Sequence, residues 1–151
     1  MGDLKSNKRC LLSQSVVCIL LPLTGAAQCN QVEFNAKRID MADYVLVESR
    51  DPFEYTDTEY FYQVAADLSN AGNNVTFFLV QNGVLTVRKG MSNSVVAKLQ
   101  TAAPSVKILA DEFSLRERAI ADQKLTPGVV SSDVDQLVDL LAVSGVKAIW
   151  H

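Results

Sequence analysis

The chain has 151 residues, of which 48% are hydrophobic and 21% charged, with a formal net charge of −3. This composition predicts one globular domain with a real core and excludes a disordered or low-complexity chain. The acidic balance argues against a nucleic-acid binder, which needs a basic face for phosphates. His151 is the only histidine, so histidine clusters around a metal and histidine-based triads inside the fold are nearly excluded.

The three cysteines, Cys10, Cys18 and Cys29, all lie in the first 29 residues. Their spacing contains no Cys-x-x-Cys pair, which argues against zinc ribbons and thioredoxin-type chemistry, and an odd number gives no closed disulfide framework. From Asn30 to His151 the sequence has no thiol at all.

Residues 1–40 differ in composition from the rest of the chain. A basic start, the apolar run VVCILLPL and the small residues LTGAAQ follow one another, as in a secretory signal with Gly25 and Ala27 before the cleavage site. Polar residues and a proline interrupt the run, so it is a poor membrane span. Alternatively, translation begins at Met41 and the earlier residues are upstream sequence. The first interpretation implies export and the second a cytoplasmic protein; both predict a core confined to 41–151.

The first half of this domain is predicted to run strand, helix, strand. YVLV over 44–47 is apolar and β-branched, as a buried strand is, and the following Arg-Asp-Pro stops it because proline lacks the N–H that a ladder needs. In EYFYQVAADLSNA apolar residues recur at helical spacing, and Gly72 ends this helix. VTFFLV over 75–80 is apolar on both faces, which is typical of a central parallel strand.

The second half continues the alternation. Its predicted elements are a turn at 81–83, a helix that Pro104 ends, a strand at 106–110, a charged helix from Ser114, a strand or loop at 128–130, a helix ended by Gly145 and a closing strand at 146–150. This pattern predicts a three-layer α/β/α sandwich with a mainly parallel sheet. Binding sites in such folds gather beyond the carboxyl ends of the strands. Those ends are 48–51, 81–84, 110–113 and 150–151.

Two of these strand ends carry candidate chemistry. The QNGV stretch at 81–84 offers backbone amides to an anion. No GxGxxG or phosphate-loop pattern is present, however, so a plain turn in which Gly83 supplies a positive φ is the favoured interpretation. Asp111 and Glu112 are adjacent carboxylates of the kind that acid–base chemistry needs. A helix N-terminus explains them better, because no nucleophile or histidine is near them in sequence.

Two basic pairs and a run of aromatic residues are candidate contact surfaces. Arg88-Lys89 and Arg116-Arg118 suit an anionic ligand or an acidic partner, although such pairs more often form a solvated face. All four tyrosines lie with two phenylalanines between residues 44 and 62. Those that the core leaves free are expected to form a subunit interface, where aromatic residues are enriched.

Four stretches of the domain also carry a family resemblance. They are RDPFEYTDTEYFYQVAADL, VTFFLVQNGVLTVRKG, VKILADEFSLRERAI and DQLVDLLAVSGVKAIW. In this order and spacing, the span 42–151 resembles the DsrE/DsrF/DsrH-like family, which includes the Tus sulfur-relay subunits. The resemblance implies a flavodoxin-like α/β domain that assembles into trimers, hexamers or mixed-subunit rings.

The active members of this family carry sulfur as a persulfide on a cysteine at the end of the third strand, which requires an accessible thiolate. This chain has Ala110 at the matching position, and ADEFSLRERAI is similar to the DsrF/TusC-type subunits that lack the carrier cysteine. The resemblance therefore implies a non-catalytic subunit of a sulfur-relay or sulfur-oxidation system, without cofactor or metal.

The resemblance also implies the partners, either further copies of this chain or cysteine-bearing DsrE- or TusA-like proteins. The crevice that faces the partner is expected to be formed by Asn82, Gly83, Val84, Asp111 and Glu112. The alternatives are a small-molecule binder that uses the same crevice, an exported DsrE-like protein and, last, an enzyme in its own right.

Overall fold

A computed structural model describes residues 41–91 and 94–151. The two interpretations of residues 1–40, and the three cysteines among them, lie outside the described residues. Within the part of the chain that is described, no helix has both the length and the apolar character needed to cross a membrane.

Strands and helices alternate along the described residues. The strands are β1 (Asp43–Glu48), β2 (Asn74–Leu79), β3 (Lys107–Asp111), β4 (Val129–Ser132) and β5 (Lys147–Trp150). The α-helices are α1 (Thr58–Asn70), α2 (Val95–Ala102), α3 (Glu112–Glu117) and α4 (Val134–Ala142). Short 3-10 helices span Gln81–Val87 and Asp122–Lys124.

The five strands form one parallel sheet in the order β4-β3-β2-β1-β5. Val47 of β1 pairs with Phe78 of β2 and with Trp150 of β5, so the carboxyl ends of these three strands meet at one edge. The predicted α/β/α fold class with a parallel sheet is confirmed. In the stretch at 128–130, for which the sequence allows either a strand or a loop, the edge strand β4 begins at Val129.

One face of the sheet is covered by α1, α2 and the first 3-10 helix. Leu46, Phe77 and Leu79 are fully buried on this face. The Phe77 ring lies 4.6 Å from the Tyr62 ring and 5.6 Å from the Phe61 ring of α1, between ring centroids. This is the larger of the two hydrophobic clusters that the described residues form, and it fixes α1 on the sheet.

The opposite face is covered by α4. Val45, Val47 and Phe78 are buried there together with Leu137 of α4. The apolar residue Val138 of the same helix remains 58% exposed. The second layer is therefore thin, and part of its apolar surface faces solvent.

The run of aromatic residues is divided between core and surface. Phe61 and Tyr62 are buried in the larger cluster, whereas Phe53, Tyr55 and Tyr60 are 71%, 41% and 73% exposed. These three exposed residues are the part of the run that is free to contact a second subunit. The subunit interface itself stays a prediction.

The segment after β2 departs from the sequence-based expectation. The turn predicted at 81–83 is instead the start of the 3-10 helix Gln81–Val87. The interpretation that Gly83 supplies a positive φ is wrong, because the left-handed residue is Gln81, with φ 48°. Glycine is needed at 83 for close approach, since a Cβ there would overlap the carbonyl oxygen of Glu48 and lie 3.2 Å from its carbonyl carbon.

Deleting residues 1–40 is expected to leave the stability of the domain nearly unchanged. Within the described residues, both hydrophobic clusters are formed by the central strands and by the helices of both faces. In urea denaturation, the 41–151 fragment should match the full chain to within about 1 kcal/mol of a total of about 5–15 kcal/mol. A loss of several kcal/mol in the fragment would contradict a core confined to 41–151.

Candidate functional site

A groove of about 830 Å³ lies at the carboxyl edge of the sheet. The end of β2, the end of β3, the first residues of α3 and α4, and Trp150 of β5 border it. Its volume falls in the range of about 300–1,000 Å³ that is usual for ligand sites. The groove therefore occupies the place where parallel α/β folds bind their ligands.

Apolar side chains form the floor and much of the rim of this groove. Phe78 and Leu137 are buried at its base. Phe113, Val134 and Trp150 line the groove while remaining 61%, 58% and 63% exposed. Exposed apolar residues that gather around a concave surface mark a contact site for a ligand or a protein.

Asp111 shapes the groove as a helix cap. One of its carboxylate oxygens accepts hydrogen bonds from the backbone N–H of Ser114 at 2.8 Å and from the Ser114 hydroxyl at 2.5 Å. Helix α3 therefore begins at Glu112, two residues before the predicted start, because Asp111 takes the capping role. The Ser114 oxygen also accepts from the backbone N–H of Gln81 at 2.8 Å, which ties the 3-10 helix to α3.

Arg118 is fixed beside the groove by three hydrogen bonds. Its Nε and Nη2 donate to Asn82 Oδ1 at 3.2 and 2.7 Å, and its Nη1 donates to the carbonyl oxygen of Ser114 at 3.3 Å. The nearby ion pair of Glu112 and Arg116, at 3.6 Å, is exposed and contributes little. The rim thus presents one guanidinium held by hydrogen bonds and one exposed ion pair.

The structure brings together only part of the predicted crevice. Asn82, Asp111 and Glu112 line the groove. Gly83 and Val84 are buried below the surface, so they support the site without facing it.

Ala110, the position matched to the carrier cysteine, is fully buried in the larger hydrophobic cluster. Asp111, the next residue of β3, is the side chain that faces the groove. A thiol in place of the Ala110 side chain would therefore be sealed from solvent in this arrangement. The match of Ala110 to the carrier position stays a prediction from the resemblance.

A second polar cluster lies at the end of β1, and sequence reasoning missed it. Glu48 is fully buried, and its Oε2 lies 3.0 Å from His151 Nδ1. The other ring nitrogen, Nε2, lies 3.4 Å from Asp57 Oδ2, and the ring stacks on Phe61 at 4.9 Å between centroids. Glu48 Oε1 accepts from the backbone N–H of Arg50 at 2.7 Å. The cluster pairs a buried carboxyl group with a partly exposed imidazole.

This cluster joins residues that are far apart in sequence. Only the parallel pairing of the first and last strands places Glu48 beside His151, and that pairing cannot be read from local pattern. Across residues 41–91 and 94–151, no group of three or more His, Cys, Asp or Glu side chains is arranged to hold a metal ion.

Glu48→Gln is expected to change how stability depends on pH. Burial raises the pKa of the Glu48 carboxyl above its ordinary value of 4.5, an effect larger than the opposing bonds to Arg50 and His151. The folded chain then holds this proton more tightly than the unfolded chain. Its contribution to stability is complete below the unfolded pKa and is lost as pH rises through the folded pKa.

Urea unfolding of the wild type and the variant between about pH 4 and about pH 8 measures this effect. The wild type should lose stability relative to Glu48→Gln as the pH rises. Glu54→Gln, which removes an exposed carboxylate close to Glu48 in sequence, is the matched control. The stability of this variant should change with pH in parallel with that of the wild type. Parallel curves for wild type and Glu48→Gln would contradict a raised pKa.

The fold and the groove together define a three-layer parallel α/β protein with its candidate site at the carboxyl edge. No protein-family model matches the sequence, and no curated protein does. The chain is similar in structure to the YchN protein from E. coli, with 18% identity, a TM-score of 0.62, and coverage of 72% of this chain and 100% of that chain. It is also similar to MTH1491 from Methanobacterium thermoautotrophicum, a protein of unknown function, with 19% identity, a TM-score of 0.57, and coverage of 74% and 100%. At these identities the likeness shows the fold.

Proposed function

We propose that this chain is a non-catalytic subunit of the DsrE/DsrF type, which holds a cysteine-bearing partner of a sulfur-relay or sulfur-oxidation system. The observation that carries the proposal is the carboxyl-edge groove with its exposed Phe113, Val134 and Trp150, in a stretch of sequence without cysteine. Persulfide transfer requires a thiolate. The partner would therefore supply the thiol, and this chain would position it.

The chemistry of the groove supports a protein partner. Trp and Phe are enriched in interfaces, and a large aromatic residue near the centre of a contact often supplies much of the binding energy. Trp150 has this character at the end of an edge strand, and Glu112 and Arg116 add charges at the rim.

The shared fold supports the coarse part of the proposal, a DsrE-like domain. The finer assignment to the DsrF/TusC type rests on the ADEFSLRERAI stretch alone. We extend the proposal to a homo-oligomer or a mixed oligomer with the cysteine-bearing protein. Free thiols persist in reducing compartments, so the proposal includes a cytoplasmic location.

Binding to a cysteine-bearing DsrE- or TusA-like protein encoded beside this chain tests the proposal. Trp150→Ala is expected to weaken binding by about tenfold or more, as truncation of a central aromatic anchor does. Val143→Ala is the control, because Val143 is also exposed but lies at the C-terminal end of α4, outside the groove and outside the run of aromatic residues. Equal effects of the two substitutions, or no binding by the wild type, would contradict the proposal.

A small-molecule binder is the second candidate, and the volume of the groove favours it. Native mass spectrometry of the full chain after purification separates the two candidates. A bound small molecule that is lost in Trp150→Ala and kept in Val143→Ala would favour this second function.

A further inference from the structure

A second cavity, of about 500 Å³, is lined by four cationic side chains: Arg88, Lys89, Arg118 and Lys124. We refer to it as the basic cleft. These are four of the nine Lys and Arg residues in 41–151, a span that also carries fourteen Asp and Glu. Among the described residues, no Asp or Glu lines the cleft and none of the four cations forms an ion pair.

The backbone holds the basic cleft in shape. The N–H of Lys89 donates to the carbonyl oxygen of Lys124 at 2.7 Å, and Arg88 pairs with Leu125 in an antiparallel bridge. These contacts place the two lysines side by side although they are far apart in sequence. Arg118 is fixed by the three hydrogen bonds described above, and the buried Ile120 lines the cavity behind it.

The end of α3 explains only part of this concentration of charge. Arg88 Nη2 donates to the carbonyl oxygen of Arg118 at 3.3 Å, and cations stabilise the C-terminal end of a helix. Lys89 and Lys124 make no such contact with α3 in the described part of the chain. Adjacent like charges oppose folding unless a counter-charge joins them.

We propose that the basic cleft binds a small molecule through a tetrahedral oxyanion group, of the phosphate or sulfate type. Two ammonium groups, and the N–H groups that the guanidiniums of Arg88 and Arg118 do not use in the hydrogen bonds above, match the several acceptor oxygens of such a group. The size of the cleft suits a small ligand. A polyanion fits less well, because the domain as a whole is acidic and α4 carries Asp135 and Asp139 on its exposed surface. Arg118 also borders the carboxyl-edge groove, whereas Lys89 and Lys124 do not, so the two lysines test the basic cleft separately from the proposed function.

Calorimetric titration of the full chain with inorganic pyrophosphate at low ionic strength tests this proposal. Lys89→Ala and Lys124→Ala should each weaken binding by about tenfold, the loss of one charge-assisted hydrogen bond. Lys107→Ala removes the same charge at the amino end of β3, away from the cleft, and should change binding by less than about twofold. Phe113→Ala, in the groove, should leave pyrophosphate binding unchanged.

Titrations with inorganic sulfate and with a single-stranded oligonucleotide complete the test. Sulfate binding with the same lysine dependence supports the site and broadens its ligands to sulfur oxyanions. The proposal is overturned if neither pyrophosphate nor sulfate binds, or if Lys107→Ala weakens binding as much as Lys89→Ala. Tighter binding of the oligonucleotide with the same lysine dependence would also overturn it, in favour of a nucleic-acid surface.

Discussion

Gly83→Ala is expected to destabilise the domain by about 3 kcal/mol or more, near the upper end of what overpacking costs. An added Cβ would overlap the carbonyl oxygen of Glu48. That oxygen cannot withdraw, because it accepts a hydrogen bond from the backbone N–H of Val80 at 2.9 Å. Gly83 itself is held by its own N–H, which lies 3.2 Å from the carbonyl oxygen of Ser49. The 3-10 helix must therefore move, and with it Asn82, the partner of Arg118.

Gly145→Ala is the matched control for this effect. Gly145 has φ 86°, and a Cβ added there would meet no other atom within 4 Å. Gly145→Ala should lower the free energy of unfolding by only about 1–2 kcal/mol, the cost of placing alanine in the left-handed backbone conformation. Urea unfolding of both variants measures the difference. If Gly83→Ala costs no more than Gly145→Ala, the close approach between the 3-10 helix and β1 is wrong.

Phe78→Ala is the second substitution with a large expected effect, about 3–5 kcal/mol. Phe78 is fully buried between its β1 neighbour Val47 and Leu137 of α4, and it forms the floor of the groove. Removing the ring deletes the largest side chain of the smaller hydrophobic cluster. Because α4 is the cover over this face, the cavity left behind would also loosen the groove.

Phe113→Ala makes the same chemical change on the rim of the same groove. Phe113 is 61% exposed, so its truncation should alter the unfolding free energy by no more than about 0.5 kcal/mol. Comparing Phe78→Ala with Phe113→Ala separates the loss of core packing from the loss of an exposed ring. A cost below about 1 kcal/mol for Phe78→Ala would mean that α4 does not bury this face of the sheet.

Most of the fold could be predicted from local pattern. Apolar runs such as 44–47 and 75–80 have few alternatives to buried strands, and Gly72 ends α1 with φ 90° as expected. Parallel pairing follows from the helices between strands. At Gly83 the local pattern failed because the constraint comes from Glu48, a neighbour distant in sequence. The start of α3 was missed for a different reason, because the cap that Asp111 forms with Ser114 is a local contact and the predicted helix begins at Ser114.

The site was predictable as a location more than as a set of residues. Strand ends point to the carboxyl edge, so Asn82, Asp111 and Glu112 were found. The sequence could not show that Val84 is buried while its neighbour Asn82 lines the groove. Packing decides which side of a short 3-10 helix faces the core. The basic cleft could not be predicted without knowing that residues 88–89 pair with residues 124–125. Each of the two segments alone carries only the number of positive charges that is usual for a protein surface.

Residue-resolved mass spectrometry after loading with labelled persulfide sulfur tests the central claim most directly. The full chain is incubated with a sulfur donor, alone and together with its cysteine-bearing partner. In the mixture, we expect the labelled sulfur on the partner's cysteine. We expect no transfer of labelled sulfur from this chain to the partner. Labelled sulfur that sits on Cys10, Cys18 or Cys29 and passes from there to the partner would contradict a non-catalytic role, because this chain would then itself be a carrier.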